Sequence, residues 1–250
     1  MIELDFALQR GEFSLELALS SPARALALFG HSGCGKTSTL LAIAGLLRPA
    51  RGRIAIDDRI LFDSATGTEL PPAHRNLGMV FQDARLFPHL NVRENLRYGM
   101  PRNAPPGAFD EAVHLLGLAT LLKRRPGQLS GGQIRRVAIG RALLREPHAL
   151  LLDEPLANLH HEARAEVLEH LRGLKRGFAL TTILVSHQSD EVAALADSVA
   201  RIEDGRLAAL ESVEAFKLAT GVPGNPFDTP NAARGVKVAI DPLLPQGIDR

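Results

Sequence analysis

One segment of this sequence has the residues and spacing of a phosphate-binding loop. Gly30–Thr37 reads GHSGCGKT and fits the pattern G-x-x-x-x-G-K-[ST]. The apolar run Ala25–Phe29 before it predicts a buried strand, and the residues from about Lys36 to Leu47 predict a helix that stops before Pro49. Glycines let backbone N–H groups turn toward phosphate oxygens, and a helix N-terminus adds partial positive charge. The context favours a nucleotide site over a chance glycine-rich turn.

Within this loop, Lys36 is suited to reach the β- and γ-phosphates of a nucleotide, and the Thr37 hydroxyl is suited to bind Mg²⁺. Cys34 is the only cysteine, so no intrachain disulfide can form and a reducing compartment is the simple interpretation. We expect alkylation of its thiol to block nucleotide binding. The loop residues that we expect to contact the nucleotide are Gly30, His31, Ser32, Gly33, Cys34, Gly35, Lys36, Thr37 and Ser38.

A second feature is the pair of acids that follows the apolar run Leu150–Leu152. Burying unpaired carboxylates is costly, so Asp153 and Glu154 at the end of a buried strand suggest a functional role. Asp153 would hold Mg²⁺ through water, and Glu154 would act as general base on the water that attacks the γ-phosphate. A solvated acid pair after a strand is common, so the interpretation depends on the phosphate loop in the same chain.

The third feature is the segment Leu129–Gln133, LSGGQ, which precedes an amphipathic helix at Ile134–Glu146. Ser130 is a typical helix N-cap, and two glycines clear side chains from the start of the helix. The arrangement makes a second anion site without a lysine, or simply a capped helix. The residues that we expect to contact nucleotide here are Ser130, Gly131, Gly132 and Gln133.

The remaining pattern predicts the elements that position these residues. The apolar runs Leu150–Leu152 and Ile183–Val185 are typical of parallel strands covered on both faces, and Glu162–Leu174 between them is amphipathic and helical. Strands that alternate with helices predict an α/β fold with a mainly parallel core sheet.

Two further regions add to this core. Arg53–Phe62 and Val199–Leu207 predict antiparallel hairpins, and residues 83–147 are mostly helical in pattern. Asn91 and Glu94 have the spacing of a capping box. We therefore expect an antiparallel β subdomain and an inserted helical lobe.

Composition excludes several classes of protein. The chain has 250 residues, 45% of them hydrophobic and 23% charged, with a formal net charge of +1. These values are typical of a globular protein and do not indicate a nucleic-acid binder. We find no signal-peptide pattern at the N-terminus and no apolar run near the ~20 residues that a membrane helix needs.

Together the three motifs resemble those of ABC ATPases, the ATP-binding cassettes of membrane transporters, over roughly residues 1–215. Gln82, after an expected strand at Met79–Phe81, resembles the family's glutamine that senses Mg²⁺ and water and links to the membrane subunit. His187, after the Ile183–Val185 strand, resembles the histidine that contacts the γ-phosphate. The resemblance implies the P-loop NTPase fold and ATP hydrolysis with ATP and Mg²⁺ as cofactors. Thr37, Gln82 and Asp153 are the implied metal contacts, and Glu154, His187 and Gln82 the catalytic residues.

The resemblance also implies partners and a location. Two family subunits pair head to tail, so that the LSGGQ segment of one faces the phosphate loop of the other. We expect a homodimer bound to integral-membrane permease subunits, with a periplasmic substrate-binding protein and no nucleic acid, at the cytoplasmic face of the inner membrane. About 35 residues follow Glu214, too few for the anion-binding β-barrel that some members carry. We therefore expect an ATPase domain at 1–215, with its helical subdomain at about 83–147, and a short tail at 216–250.

Other segments resemble the ATPases of molybdate importers. They are Leu61–Ser64, Leu70–Pro72, Val80–His89 and Asn95–Met100. We therefore expect the chain to energise uptake of molybdate and tungstate, with sulfate or iron(III) import as alternatives. The segment after Gln82 contacts the membrane partner in this family, so the likeness indicates the partner more directly than the anion.

Three positions depart from the family or are ambiguous. His160 stands where members usually have an Asp that helps to connect the two sites of the dimer, and Arg135 replaces a common Gln, for which we expect little effect. An aromatic residue that stacks on adenine is expected near the N-terminus. Phe13 is the nearest candidate, although core packing explains it equally well.

Other functions remain as alternatives. A DNA-repair ABC protein would separate its nucleotide motifs by a long coiled coil, but Lys36 and Asp153 are 117 residues apart without heptads. Translation factors of this family usually hold two cassettes, and a small-molecule P-loop kinase would lack Leu129–Gln133. A degenerate regulatory subunit is suggested by His160 and opposed by the intact Glu154.

Overall fold

The structure is a computed structural model that describes residues 1–177 and 180–222, in which strands and helices alternate through the core. The strands are β1 (Ile2–Arg10), β2 (Phe13–Ser21), β3 (Ala25–Phe29), β4 (Arg51–Ile56), β5 (Arg59–Asp63), β6 (Thr68–Glu69), β7 (Leu77–Val80), β8 (Ala149–Asp153), β9 (Thr181–Ser186), β10 (Ser198–Glu203) and β11 (Arg206–Ser212). The helices are α1 (Lys36–Ala44), α2 (Val92–Arg97), α3 (Ala108–Leu115), α4 (Gly131–Leu143), α5 (His161–Gly177), α6 (Ser189–Leu195) and α7 (Val213–Thr220).

The strands of the described residues form one sheet in the order β6-β5-β4-β1-β2-β11-β10-β3-β9-β8-β7. Strands β10, β3, β9, β8 and β7 pair parallel with one another at one end, whereas β6, β5, β4, β1 and β2 pair antiparallel with one another at the other. Between these two groups, β11 pairs parallel with β2 and antiparallel with β10. The predicted α/β fold with a mainly parallel core and an antiparallel region is confirmed.

The central strands are apolar along their whole length because both faces of the sheet are covered. Leu150 and Leu152 of β8 pack in a cluster with side chains of α2 to α6, while Leu151 packs in a second cluster with α1 and the antiparallel strands. Strand β9 alternates in the same way, with Leu184 in the first cluster and Ile183 in the second. This double burial explains the uninterrupted apolar runs.

Some boundaries differ from those expected from the sequence. Helix α1 ends at Ala44 instead of Leu47, because Gly45 adopts a left-handed φ of 77° and closes the last turn. The buried Arg75 then donates to the carbonyls of Ala42 and Ile43, each at 2.7 Å, which satisfies the end of the helix. Strand β7 ends at Val80 and leaves Phe81 outside it.

Helices α2, α3 and α4 lie between β7 and β8, where the helical lobe was expected. The capping box of Asn91 and Glu94 is present at the start of α2. Of the expected tail, residues 216–220 belong to α7, and residues 223–250 lie outside the described residues. In the described part of the chain, no helix is long and apolar enough to cross a membrane.

Candidate active site

The phosphate-loop pattern forms the turn between β3 and α1, and two of its glycines are required by the backbone. Gly35 has a φ of 109°, and a Cβ there would lie 2.8 Å from a methyl carbon of Leu15. A Cβ on Gly30 would lie 2.2 Å from the carbonyl oxygen of Ile202 in β10. Only glycine combines this conformation and this closeness, so the loop stays tightly folded over the sheet.

The start of α1 is left open. Gly35 is its N-cap and provides no side-chain hydrogen bond to the first turn. The N–H groups at the start of the helix are therefore available to an external acceptor. Lys36 is buried, and its Nζ donates to the carbonyls of Gly30 and His31, each at 2.8 Å. A lysine ammonium thus lies inside the turn, next to the open helix end.

The two predicted acids end β8 beside this loop. The buried Asp153 accepts a hydrogen bond at Oδ1 from the Thr37 hydroxyl at 2.9 Å. Burial raises the pKa of Asp153, and the hydrogen bond from Thr37 opposes that rise. The charge of Glu154 raises this pKa further, while Lys36 and Arg135 lower it. The carboxyl group is therefore set directly against the first turn of α1.

Glu154 is held differently from Asp153. Its φ is 44°, and its backbone N–H donates to the carbonyl of Val185 in β9 at 3.0 Å. The side chain is 17% exposed and its Oε1 lies 3.1 Å from Nδ1 of His187. The left-handed backbone is costly for a residue other than glycine, asparagine or aspartate, and such strain is concentrated at functional sites. The structure therefore places the predicted general base and the predicted γ-phosphate contact side by side.

An open cleft of about 550 Å³ lies over these residues. Eight residues predicted from the sequence line it, namely Ser32, Gly33, Gly35, Lys36, Thr37, Ser38, Gln82 and Glu154. Arg10 and Phe13 complete the lining, at the facing ends of the β1–β2 hairpin. No motif marks Arg10, so its place in the cleft follows only from the folded hairpin. Phe13 is brought against the phosphate loop, within 3.2 Å of the Cβ position that a side chain at Gly35 would occupy.

Some of the predicted loop residues do not line the cleft. Cys34 is 1% exposed, so alkylation of its thiol requires the loop to open first. His31 points to the β10–β11 turn, where its Nε2 lies 3.6 Å from the Asp204 carboxylate.

The LSGGQ segment is also absent from the cleft lining and stands apart at the exposed start of α4. The Ser130 hydroxyl accepts a hydrogen bond from the Gln133 N–H, and the Gln133 side chain accepts one from the Ser130 N–H. A Cβ on Gly132 would lie 3.0 Å from the Ala163 side chain of α5, and one on Gly131 would lie 3.2 Å from Leu159. The two glycines thus allow α4 to start in contact with the segment that leads into α5.

Gln82 reaches the cleft from a segment beyond the end of β7. The backbone of this segment is held from α4, because Arg135 donates to the carbonyls of Phe81 and Gln82, each at 2.6 Å. The sequence reveals Arg135 only as a departure from a common Gln, and it does not indicate these contacts.

Comparison with known proteins agrees with this geometry. A family model described as ABC transporter matches residues 15–157, and the chain belongs to this family. A solved dimeric ATP-binding cassette in a post-hydrolysis state, bound to ADP and Pi, superposes with a TM-score of 0.69 at 26% identity, over 85% of this chain and 99% of that one. The expected family and ABC ATPase fold are thus confirmed.

Two curated relatives are more similar in sequence. The molybdenum import ATP-binding protein ModC of Paramagnetospirillum magneticum is 48% identical over 86% of this chain and 60% of that protein. The protein of the same name from Salmonella choleraesuis is 50% identical over 86% of this chain and 61% of that protein. The chain therefore spans about three fifths of the length of these relatives.

Proposed function

We propose that this chain is the ATP-hydrolysing subunit of an ABC importer that takes up molybdate and tungstate. The proposal of ATP hydrolysis depends above all on one observation: Thr37 and Glu154 line one cleft and are held there by Asp153 and His187, and the two acids and the histidine lie at the carboxyl ends of the neighbouring parallel strands β8 and β9. The choice of anion is supported by the names of relatives that are 48% and 50% identical.

The donor atoms in the cleft suit Mg²⁺, which prefers oxygen ligands and usually binds through one or two protein groups plus phosphates and water. The hydroxyl of Thr37 and the carboxylate of Asp153 are such a pair, and Gln82 adds an amide oxygen. Within residues 1–177 and 180–222 no cluster of three or more His, Cys, Asp or Glu residues could hold a metal by itself. When bound, Mg²⁺ supplies positive charge that offsets the charge on the phosphate oxygens.

The protein groups divide the remaining work among them. Lys36 and the free N–H groups of α1 bind the phosphates, and Phe13 provides a flat face for adenine. Glu154 takes the proton from the attacking water at its carboxylate, while Gln82 positions that water. His187 holds the Glu154 carboxylate through Nδ1 and approaches the γ-phosphate. Catalysis therefore depends on placement and charge, without a covalent intermediate.

The cleft of one chain lacks the LSGGQ residues, so we propose that the complete site forms between two copies arranged head to tail. Ser130 and the glycines after it then reach the nucleotide held by the partner. The pair would act at the cytoplasmic face of the inner membrane on permease subunits, served by a periplasmic binding protein. We assign the ATPase domain to residues 1–215, with a helical subdomain at about 83–147.

ATP hydrolysis by the subunit reconstituted with its permease and binding protein tests this function. Molybdate, tungstate, sulfate and iron(III) are added separately, and we expect only the first two to stimulate hydrolysis. Glu154→Gln serves as the control, and loss of the general base should lower the rate by about 10²-fold or more. Stimulation by another solute would overturn the choice of anion. Absence of hydrolysis in the wild type would overturn the proposal that the chain is an ATPase.

A further inference from the structure

Two arginines of α4 hold the backbone of the segment that carries Gln82. Arg135 donates from both terminal nitrogens to the carbonyls of Phe81 and Gln82, each at 2.6 Å. Six residues further along the helix, Arg141 donates to the carbonyls of Ala84 and Arg85, at 3.3 and 2.9 Å. The segment beyond β7 is thus attached to α4 at two successive points.

The contact made by Arg135 is the more demanding of the two. Its side chain is 5% exposed, and burial lowers its pKa, while Asp83, Asp153 and Glu191 act in the opposite direction. A buried guanidinium needs acceptors, and here its two hydrogen bonds go to consecutive backbone carbonyls. The planar fork of arginine can serve both at once in a fixed geometry, which a lysine ammonium cannot do equally well.

Through Arg135, the start of α4 is linked to the backbone of Gln82. Arg135 lies in the first turns of α4, which begins with the capping box of Ser130 and Gln133. A displacement at the start of α4 is therefore carried through Arg135 to the backbone of Gln82, whose side chain lines the cleft.

We infer that Arg135 is a positioning residue that sets where the Gln82 amide lies in the cleft and makes it follow the LSGGQ end of α4. This inference rests on the proposed function, in which Gln82 serves the nucleotide bound by its own chain and the LSGGQ end of α4 serves the nucleotide bound by the partner. A glutamine at this position would have a shorter side chain and a single nitrogen as donor, without the fork of arginine.

The test compares Arg135→Met, which keeps a long buried side chain but removes both donors, with Arg135→Lys and with Arg141→Met as the matched control on the same helix. Backbone carbonyl ¹³C chemical shifts of the nucleotide-free protein are measured first by NMR, because they respond to hydrogen bonds that the carbonyl accepts. We expect Arg135→Met to shift the carbonyl signals of Phe81 and Gln82, and Arg141→Met to shift mainly those of Ala84 and Arg85. Melting temperatures measured in parallel identify any variant that is unfolded.

Steady-state hydrolysis by the reconstituted complex gives the second measurement. We expect Arg135→Met to lower kcat by about ten-fold or more with little change in the KM for ATP, because a displaced catalytic group slows the reaction more than it weakens binding. Arg135→Lys should recover part of kcat, and Arg141→Met should stay within about two-fold of wild type, since it leaves the Gln82 carbonyl in place.

Equal effects of the two methionine variants on kcat, or an Arg135→Met protein whose Phe81 and Gln82 carbonyl signals are those of wild type, would overturn the inference. A wild-type complex without hydrolysis would contradict the proposed function instead. The carbonyl chemical shifts would still decide whether Arg135 holds the Gln82 segment.

Discussion

Helices α1 and α4 both begin after glycine-rich segments, but the two starts are finished in opposite ways. Helix α1 has Gly35 as its N-cap and no side-chain bond to its first turn, and a buried Lys36 lies beside it. Helix α4 has Ser130 as its N-cap, and a complete capping box with Gln133 closes it. One start is open toward a cleft, and the other is satisfied by its own side chains at the surface.

The difference shows what a single chain can do alone. An open helix start with a lysine can bind phosphate without help, because free N–H groups and a positive charge are already in place. A capped start without a lysine gains from a phosphate only when a second surface brings one to it. The contrast predicts that changes at α1 affect binding by one chain, whereas changes at α4 affect a step that needs two.

The largest effect is expected from Lys36→Met at the open helix. The variant removes the ammonium that donates to Gly30 and His31 and would bind phosphate oxygens. We expect ATP affinity of the isolated subunit to fall by about 10²-fold or more, because charge-assisted contacts to phosphate are strong. Titration with a fluorescent ATP analogue measures this. Affinity within a few-fold of wild type would show that the helix start alone holds the nucleotide.

Ser130→Ala tests the capped helix, and Asn91→Ala at the capping box of α2 is its matched control. Each loses an N-cap, so each should lower stability by about 1 kcal/mol in thermal unfolding. Only Ser130→Ala should slow hydrolysis, by about ten-fold or more, since in the proposed head-to-tail pair it alone removes a donor to the partner's nucleotide. ATP affinity of the isolated subunit should not change. An equal loss of hydrolysis in both variants would reduce Ser130 to a structural cap.

A smaller effect on stability is expected from Asp153→Asn, behind the open helix. The pKa of Asp153 is raised chiefly by burial, so the folded chain holds this proton more tightly than the unfolded chain. The resulting stability is present below the unfolded pKa of about 3.9 and is lost as the pH rises through the folded value. At neutral pH the buried carboxylate therefore costs stability.

Asparagine keeps an oxygen for the Thr37 hydroxyl and removes the charge. We expect the nucleotide-free Asp153→Asn protein to melt about 2–4 °C higher than wild type at pH 7, the shift that 1 kcal/mol gives at this size. The gain should shrink on acidification toward pH 4. A variant that melts lower than wild type at pH 7 would show that the carboxylate is stabilised in place.

The same contrast explains what sequence could and could not predict. The open helix was predictable because its residues are contiguous, and the spacing of Gly30, Gly35 and Lys36 reflects one local backbone shape. The central strands were predictable because double burial leaves no polar residue in Leu150–Leu152. Strand β1 has alternating apolar residues and could have been recognised by that period.

Arg135 could not be interpreted in this way, since its partners are backbone carbonyls more than fifty residues away in the chain. Every residue has a backbone carbonyl, so the sequence of the partner segment does not indicate which of its carbonyls accept a hydrogen bond. Arg10 is similar, because only the folded hairpin brings it to the cleft. Contacts to backbone atoms are thus the part of this site that needs the fold.

The smallest expected effect concerns a third helix start, that of α5. His160 accepts a hydrogen bond at Nδ1 from the Ala163 N–H at 3.2 Å, so the histidine fills the capping position of the family's usual Asp. We expect His160→Asp to stabilise the chain by about 0.3–1 kcal/mol in thermal unfolding, because it adds negative charge at a helix N-terminus. His160→Ala, the control without an acceptor, should destabilise it by about 1 kcal/mol.

The ATPase rate of His160→Asp distinguishes helix capping by residue 160 from a role of this residue between the two subunits. If the Asp connects the two sites of a pair, His160→Asp should change the ATPase rate by a few-fold, which corresponds to less than about 1 kcal/mol in the barrier. Equal rates for both proteins would mean that capping is all that this position requires. Histidine, which satisfies the helix through Nδ1, would then be a full substitute for Asp.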